Sequence, residues 1–288
     1  MNIVVLGAKG QIGSTIFNCL RKESGMNVIG TSRKPDERFL TFDPFKDDWS
    51  LLGKADVIIN CIGIIQESMN ETYQRTHIDL VHLILIHRAL LGDPKIIQIS
   101  ALGACIDHEV EFLRTKGIGD ELLMKHGDII VIRPSIVCTP NTMMVQKLKL
   151  VKRIAKWTRG KIIIPKGLFD KNIQPVMADD LTALVKAVCF SNPIQIIIDL
   201  VGAEKLNYKQ LFGFLKMKNG KSLRVFQISK MWIDIILKVS IFHFCPRIIN
   251  KEQYLLLFKD NISSNTLAEK IIGRPLLTTI SFWQNQLN

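Results

Sequence analysis

The chain opens on an apolar run, Asn2-Ile3-Val4-Val5-Leu6, that passes directly into Gly7-Ala8-Lys9-Gly10-Gln11-Ile12-Gly13 and then into a helical pattern carrying Ile16, Phe17 and Leu20. A strand, a turn with glycine at every third position and a helix start leave few folds open. Gly7 allows the tight turn out of the strand, Gly10 lets the backbone approach a diphosphate, and Gly13 lets the helix pack closely on the sheet, while the helix N-terminus offers free N–H groups to the anion. The pattern predicts a dinucleotide-binding unit, with Lys9, Gln11 and Ile12 completing the loop around the ligand.

The remaining sequence keeps the rhythm of a parallel sheet buried on both faces. Short apolar runs predict strands near 2–7, 26–31, 38–42, 56–61, 95–100 and 128–133, with helices near 11–22, 71–91 and 108–126 between them. The fold class expected is therefore α/β, a doubly wound parallel sheet (Rossmann) with a small, mostly helical C-terminal lobe. Beyond Pro134 come a basic segment at 145–161, an Ile-rich strand at 161–165, a helix opening near Asp179 and a strand at 194–201. The division expected is a dinucleotide-binding domain over 1–202, with 141–173 contributing to the lobe, and a C-terminal substrate or partner lobe over 203–288.

At 47% apolar and 22% charged residues, with no internal repeat, the chain reads as globular rather than disordered or fibrous. Six scattered cysteines without a C-x-x-C pair fit reduced thiols, and no metal site is implied. The apolar start has no basic leader, so it reads as a strand and not as a signal peptide. The longest later apolar stretch, Met231 to Cys245, is broken by Asp234 and Lys238 and is too short for a bilayer span; it reads as a core or interfacial helix. A cytoplasmic location, with peripheral contact at the inner face of a membrane as the variant, follows from these signs.

Where an NAD-binding site usually ends its second strand in an acidic residue, this chain has Ser32-Arg33-Lys34. Two cations there suit the 2′-phosphate of NADP(H) better than the bare ribose of NAD(H). Asp43, after the third strand, is either an adenine contact or a turn residue. Asn60-Cys61-Ile62-Gly63 closes the fourth strand at the same sheet edge, where Cys61, Ile62 and Gly63 let the cofactor lie against the backbone.

Taken with Ile99-Ser100-Ala101-Leu102-Gly103, Thr115-Lys116, Arg133-Pro134-Ser135 and Gln174-Pro175-Val176 with Asp179-Asp180, these motifs resemble the extended and atypical short-chain dehydrogenase/reductases, which include the NAD-dependent epimerases and dehydratases. The resemblance covers about residues 1–190. It is nearest to the atypical branch that holds the NADPH-binding accessory subunit of respiratory complex I and related bacterial proteins, and Asn250-Lys251-Glu252-Gln253-Tyr254 with Asp260-Asn261 extends it. The family's catalytic members use Tyr-x-x-x-Lys: the Tyr moves the proton, and the Lys lowers its pKa and holds the nicotinamide ribose. Here the matching stretch is Phe112-Leu113-Arg114-Thr115-Lys116, and the usual Ser or Thr partner is replaced by Ala101 and Leu102. The resemblance thus implies an NADP(H)-binding protein in which Lys116 still binds the ribose but Phe112 cannot transfer a proton. Its role would be binding, sensing or structural. An NADPH-dependent oxidoreductase with an unconventional acid, drawn from His108, Glu109 or Glu111, is the alternative, and a sugar-nucleotide epimerase or dehydratase ranks below it because it needs the same Tyr.

Charge divides the chain in two. Residues 1–140 carry 15 Lys and Arg against 17 Asp and Glu, whereas 141–288 carry 23 against 9. Over 147–159, Leu148, Val151, Ile154 or Ala155 and Thr158 share a helical face, cations fill the other side, and Trp157 stands near the boundary. The pattern suits an anionic membrane surface, an acidic protein partner or an ordinary amphipathic surface helix. Nucleic acid is not expected, because no binding motif or interleaved stacking aromatics accompany the charge.

Overall fold

The computed structural model describes residues 1–216, 220–229 and 251–287. Its centre is a sheet whose strands follow the apolar runs: β1 (Asn2–Leu6), β2 (Asn27–Ser32), β3 (Leu40–Thr41), β4 (Val57–Asn60), β5 (Lys95–Ile99) and β6 (Ile129–Pro134). After the short β7 (Val137–Cys138), β8 (Lys161–Pro165), β9 (Asn172–Ile173) and β10 (Val176–Met177) comes β11 (Ile196–Leu200), which returns to the sheet. The order is β3-β2-β1-β4-β5-β6-β11, with every pair parallel. Strand order reverses between β1 and β4, and the crevice outside their C-terminal ends is where such sheets hold ligands.

Both faces of the sheet are dry. Ile3 and Val5 point into one apolar cluster with helix α1 (Gln11–Leu20), whereas Val4 and Leu6 point into another with helix α2 (Leu80–His87). Burial of each such side chain contributes about 1.5–3 kcal/mol, which is why the runs are continuous rather than alternating. Helix α3 (Glu111–Leu123) covers the α2 side, and α4 (Met143–Trp157) leads into the C-terminal lobe. Helix α5 (Ala178–Cys189) packs beside α1.

Three segments differ from the sequence expectation, each for a local reason. The strand expected over 38–42 shrinks to two residues, because the Asp36–Phe39 turn precedes it and only β2 lies beside it. The helix expected over 71–91 is a wide π-turn at Gln74–Asp79, then α2, then a 3-10 turn at Ala89–Leu91. Here α3 presses close: a Cβ placed on Gly119 would lie 2.3 Å from the His77 carbonyl. The helix expected from 108 begins at Glu111, since the His108 ring accepts the Val110 N–H at 2.9 Å and Val110 is extended.

A third cluster, including Val145, Leu148, Ile162, Leu211 and Trp283, forms the core of the lobe. The lobe adds β12 (Leu206–Asn207), α6 (Tyr208–Gly213), β13 (Arg224–Ile228), α7 (Lys251–Leu257), α8 (Thr266–Ile272) and α9 (Ile280–Leu287). Its described elements are mostly helical, as expected, with two short ladders in which β12 pairs with β9 and β13 pairs with β8. Family-like motifs tie it down. Buried Asp180 accepts the Leu277 N–H at 2.9 Å and meets Arg274 at 2.7 Å, while Gln174 donates to the Gly202 carbonyl and accepts the Ser263 N–H. Asp260 accepts the Asn172 N–H at 2.8 Å. The apolar stretch Met231 to Cys245 lies outside the described residues, as does Asn250. Among the described residues no helix is long and apolar enough to cross a membrane.

Candidate dinucleotide site

The cradle is built from backbone. Gly7 adopts φ +75°, a region that L side chains rarely enter, and a Cβ on Gly13 would lie 2.2 Å from the Gly7 carbonyl oxygen. The Gly10 N–H donates to that same oxygen at 2.9 Å. Gly10 is the N-cap of α1 and brings no side-chain acceptor, and the first turn holds no acidic residue. The opening N–H groups of the helix are therefore available to an anion, reinforced by the helix dipole. Ile12 turns its side chain toward the core, and Gln11 crosses to the Thr139 hydroxyl, anchoring the loop to the segment after β7.

At the end of β2, buried Ser32 fixes the basic turn by accepting the Lys34 N–H at 3.2 Å and donating to the Lys34 carbonyl at 2.9 Å. Arg33 and Lys34 are exposed beside it. Two acids join them that sequence spacing had not singled out. Arg33 pairs with Glu71, while Asp36 lies 3.2 Å from both Lys9 and Arg38. Hydrogen bonds from Arg38 hold the Asp36 carboxyl down at about 2, with Lys9 adding to the effect. The cluster is thus a set of cations paired with carboxylates at the surface. Asp43 is folded into the following turn, its carboxylate accepting the Phe45 N–H at 3.1 Å.

The crevice continues past β4. Asn60, buried, donates to Gln98 at 2.8 Å and accepts the Ile62 N–H at 3.1 Å, so that its amide sets the path of Cys61-Ile62-Gly63. Burial pushes the Cys61 thiol up to about 12, against the pull of nearby Lys116, so it stays a thiol. A Cβ on Gly63 would lie 3.0 Å from Lys116 Nζ, which places the ammonium against this backbone. Lys116 donates to the Ile99 carbonyl at 3.1 Å, and its burial lowers its pKa to about 8 although Asp120 and Cys61 pull the other way.

Around Phe112 the corner is filled. Its ring meets Tyr73 edge-on at 6.0 Å between centroids and His77 at 5.7 Å. Tyr73 donates to the Ile65 carbonyl at 2.9 Å, and burial together with Glu252 raises its pKa, so its proton is committed. His77 is buried and held neutral, its pKa lowered to about 2 by desolvation and by Lys116. With Nε2 facing the Ile64 N–H at 3.4 Å, Nδ1 donates to Thr115 at 2.9 Å, and Thr115 passes its own proton to the Glu111 carbonyl at 2.9 Å. Behind them Ser100 and Arg133 both donate to Asp120, at 2.8 and 2.9 Å. Of the three acids and bases named from sequence, His108 accepts the Val110 N–H, Glu109 pairs with Lys259 at 2.7 Å, and Glu111 lies 3.8 Å from Arg114 while its charge adds to the upward push on Tyr73. Tyr73, His77, Asp36 and Glu71 went unnoticed in the sequence, since nothing in their spacing links them to the glycine loop. Among the described residues no group of three or more His, Cys, Asp or Glu is placed to hold a metal.

A seven-stranded parallel sheet with a glycine turn at its switch point is a Rossmann-type α/β fold. Solved structures agree. UDP-glucuronic acid 4-epimerase from Bacillus cereus, in complex with NAD, superposes with a TM-score of 0.71 at 18% identity over 99% of this chain and 96% of its own. RMD from Pseudomonas aeruginosa, complexed with NADPH, superposes at 0.67 with 13% identity over 99% of each chain. In sequence, the chain is 24% identical over 200 residues to the mitochondrial NADH dehydrogenase [ubiquinone] 1 alpha subcomplex subunit 9 of Arabidopsis thaliana, a match over 64% of this chain and 48% of that protein. The chain therefore spans about half the length of that relative. No protein-family model matches.

Proposed function

We propose that this protein binds a nicotinamide dinucleotide, NADP(H) in preference to NAD(H), and serves as a binding, sensing or structural component, attached to a respiratory assembly or to the inner, cytoplasmic face of a membrane. The reading is supported by a complete backbone cradle and by a corner in which Phe112, the residue that the sequence resemblance matches to a proton-donating Tyr, packs against Tyr73 and His77. Gly7, Lys9, Gly10, Gln11, Ile12 and Gly13 would receive the diphosphate, and Ser32, Arg33 and Lys34 the 2′-phosphate. Asp43 lies on the adenine side, while Cys61, Ile62, Gly63 and Lys116 would carry the nicotinamide ribose. A bound nicotinamide supplies a hydride. The chain's own contribution is to orient that ring and keep Lys116 charged below about pH 8. The accessory role is supported by the Arabidopsis relative, itself a named subunit of an NADH dehydrogenase.

Native mass spectrometry of the purified chain, followed by calorimetry with each pyridine nucleotide, tests the proposal. Retained NADPH, or an NADPH affinity about ten-fold above that for NADH, is expected, as one pairing of a phosphate with Arg is worth about that much. NADPH consumption with a panel of carbonyl compounds should stay at background. The proposal fails if a folded sample shows no heat with any nucleotide, or if NADPH is steadily oxidised.

A further inference from the structure

The β8–β13 ladder turns one face to the core of the lobe and the other outward. Ile162 and Ile164 point inward at 6% and 5% exposure. Alternation therefore sends Lys161, Ile163 and Pro165 outward, and the parallel register sets Arg224, Phe226 and Ile228 opposite them. Ile163 and Phe226 are direct neighbours across the ladder and stand 58% and 51% exposed. The Gly160 carbonyl accepts the Arg224 N–H at 2.8 Å, so the turn after α4 abuts this end of the ladder, with Trp157 91% exposed just before it.

The charges in the segments that carry the two strands are of one sign. Residues 141–169 hold eight Lys and Arg and no Asp or Glu, and 205–229 hold six and none. Lys161 and Arg224 face each other directly across the ladder, an arrangement that repels in water. None of the ion pairs among the described residues involves Lys156, Arg159, Lys161, Lys166 or Arg224. An apolar Ile–Phe pair on the same face as Lys161 and Arg224 matches the boundary between acyl chains and anionic headgroups: the apolar side chains enter and the long cationic ones reach the phosphates.

We infer that the outer face of the β8–β13 ladder is a docking surface for an anionic phospholipid bilayer. It rests on the membrane-face part of the proposed function and is independent of nucleotide binding. Apolar side chains beside cations are favoured where acyl chains lie next to phosphates, and an acidic protein is the outcome that the test separates from a bilayer.

The test is flotation of the full chain with phosphatidylcholine vesicles, with and without phosphatidylglycerol, at low and high salt. Partitioning onto the anionic vesicles should exceed that onto neutral ones by roughly ten-fold or more and fall as salt rises. Ile163→Ser with Phe226→Ser should lower it by roughly ten-fold, and Lys161→Glu with Arg224→Glu by at least as much. These side chains are exposed, and circular dichroism and nucleotide calorimetry should match the parent chain in both variants. Failure of the parent chain to float overturns the proposal, as does flotation of both folded variants at the parent's level. Retention on polyglutamate that is as strong as on vesicles and indifferent to the apolar substitutions would reassign the face to an acidic protein. Loss of nucleotide binding with flotation intact would count only against the dinucleotide site.

Discussion

The two ends of one crevice have been treated differently by this sequence. At the glycine-turn end, where the proposal seats the diphosphate, the surface is backbone, and side chains are excluded from it: a Cβ on Gly13 would overlap the Gly7 carbonyl. At the Lys116 end, where the proposal seats the nicotinamide, the surface is made of side chains, and Phe112, Tyr73 and His77 fill it with rings whose polar atoms are neutral, committed or missing. Holding a dinucleotide needs N–H groups and space, whereas transferring a proton needs one hydroxyl at one place. If the proposed reading holds, the first requirement is met here without the second, and binding and turnover are separable properties of the fold.

The sharpest way to break the contrast is to damage the intact end. Gly13→Val should abolish nucleotide binding in calorimetry, and because it also forces the β1–α1 turn apart, Gly10→Ala is the milder companion. A Cβ at Gly10 meets only the Gly7 carbonyl at 3.2 Å, so that variant should fold and still lose roughly ten-fold or more in affinity. Unchanged binding in folded Gly10→Ala would mean that the diphosphate does not lie on this turn. At the other end, Asp120→Ala should cost about 3–5 kcal/mol in denaturant unfolding, because it strands the Arg133 guanidinium and the Ser100 hydroxyl beside Lys116. A loss below about 1 kcal/mol would show that the filled corner adds little to the fold.

These two ends were also unequally legible from sequence. The cradle leaves a trace in residue type because only glycine meets its steric demand, and the sheet leaves one because strands covered on both faces must be apolar throughout. The corner leaves almost none. Helical periodicity runs unbroken from 71 to 91, and the π-turn that sets His77 depends on Gly119, far along the chain. Asp36 and Glu71 acquire their meaning from the cations that tertiary folding brings to them. Likewise Arg224–Ile228 is too short and mixed to advertise that it pairs with Lys161–Pro165. What a residue must exclude can be read locally, whereas what it must touch cannot.

Acid should distinguish the ends next. His77 is neutral when folded, with its pKa lowered from 6.5 to about 2, so the unfolded chain binds the extra proton as pH falls below 6.5. Its contribution to stability is complete above that value and is lost on acidification. Between pH 6 and 4 the parent should lose about 1.4 kcal/mol per pH unit more than His77→Asn. Parallel stability curves for the two proteins would refute a buried neutral imidazole. A smaller effect belongs to the basic turn. Arg33→Glu should narrow the preference for NADPH over NADH by about ten-fold, since it adds a charge that repels the 2′-phosphate and leaves Glu71 unpaired. An unchanged ratio would move the phosphate to Lys9, Lys34 or Arg38.

The smallest effect is expected where chemistry would be looked for first. Phe112→Tyr adds the hydroxyl that the proposed reading takes to be missing, yet it should change stability by less than about 1.5 kcal/mol, as a shape-conserving exchange in the first turn of α3. Turnover should rise from background only to a trace. Ala101 and Leu102 supply no hydroxyl to share the proton, although Lys116, charged below about pH 8, would still favour the phenolate. Following NADPH oxidation against a carbonyl panel in both proteins decides the matter. Activity that appears in the variant and is missing from the parent would show that the nicotinamide end lacks one oxygen and little else. Equal, robust activity in both would mean that a proton reaches substrate by a route that bypasses residue 112, and the contrast between the two ends would dissolve.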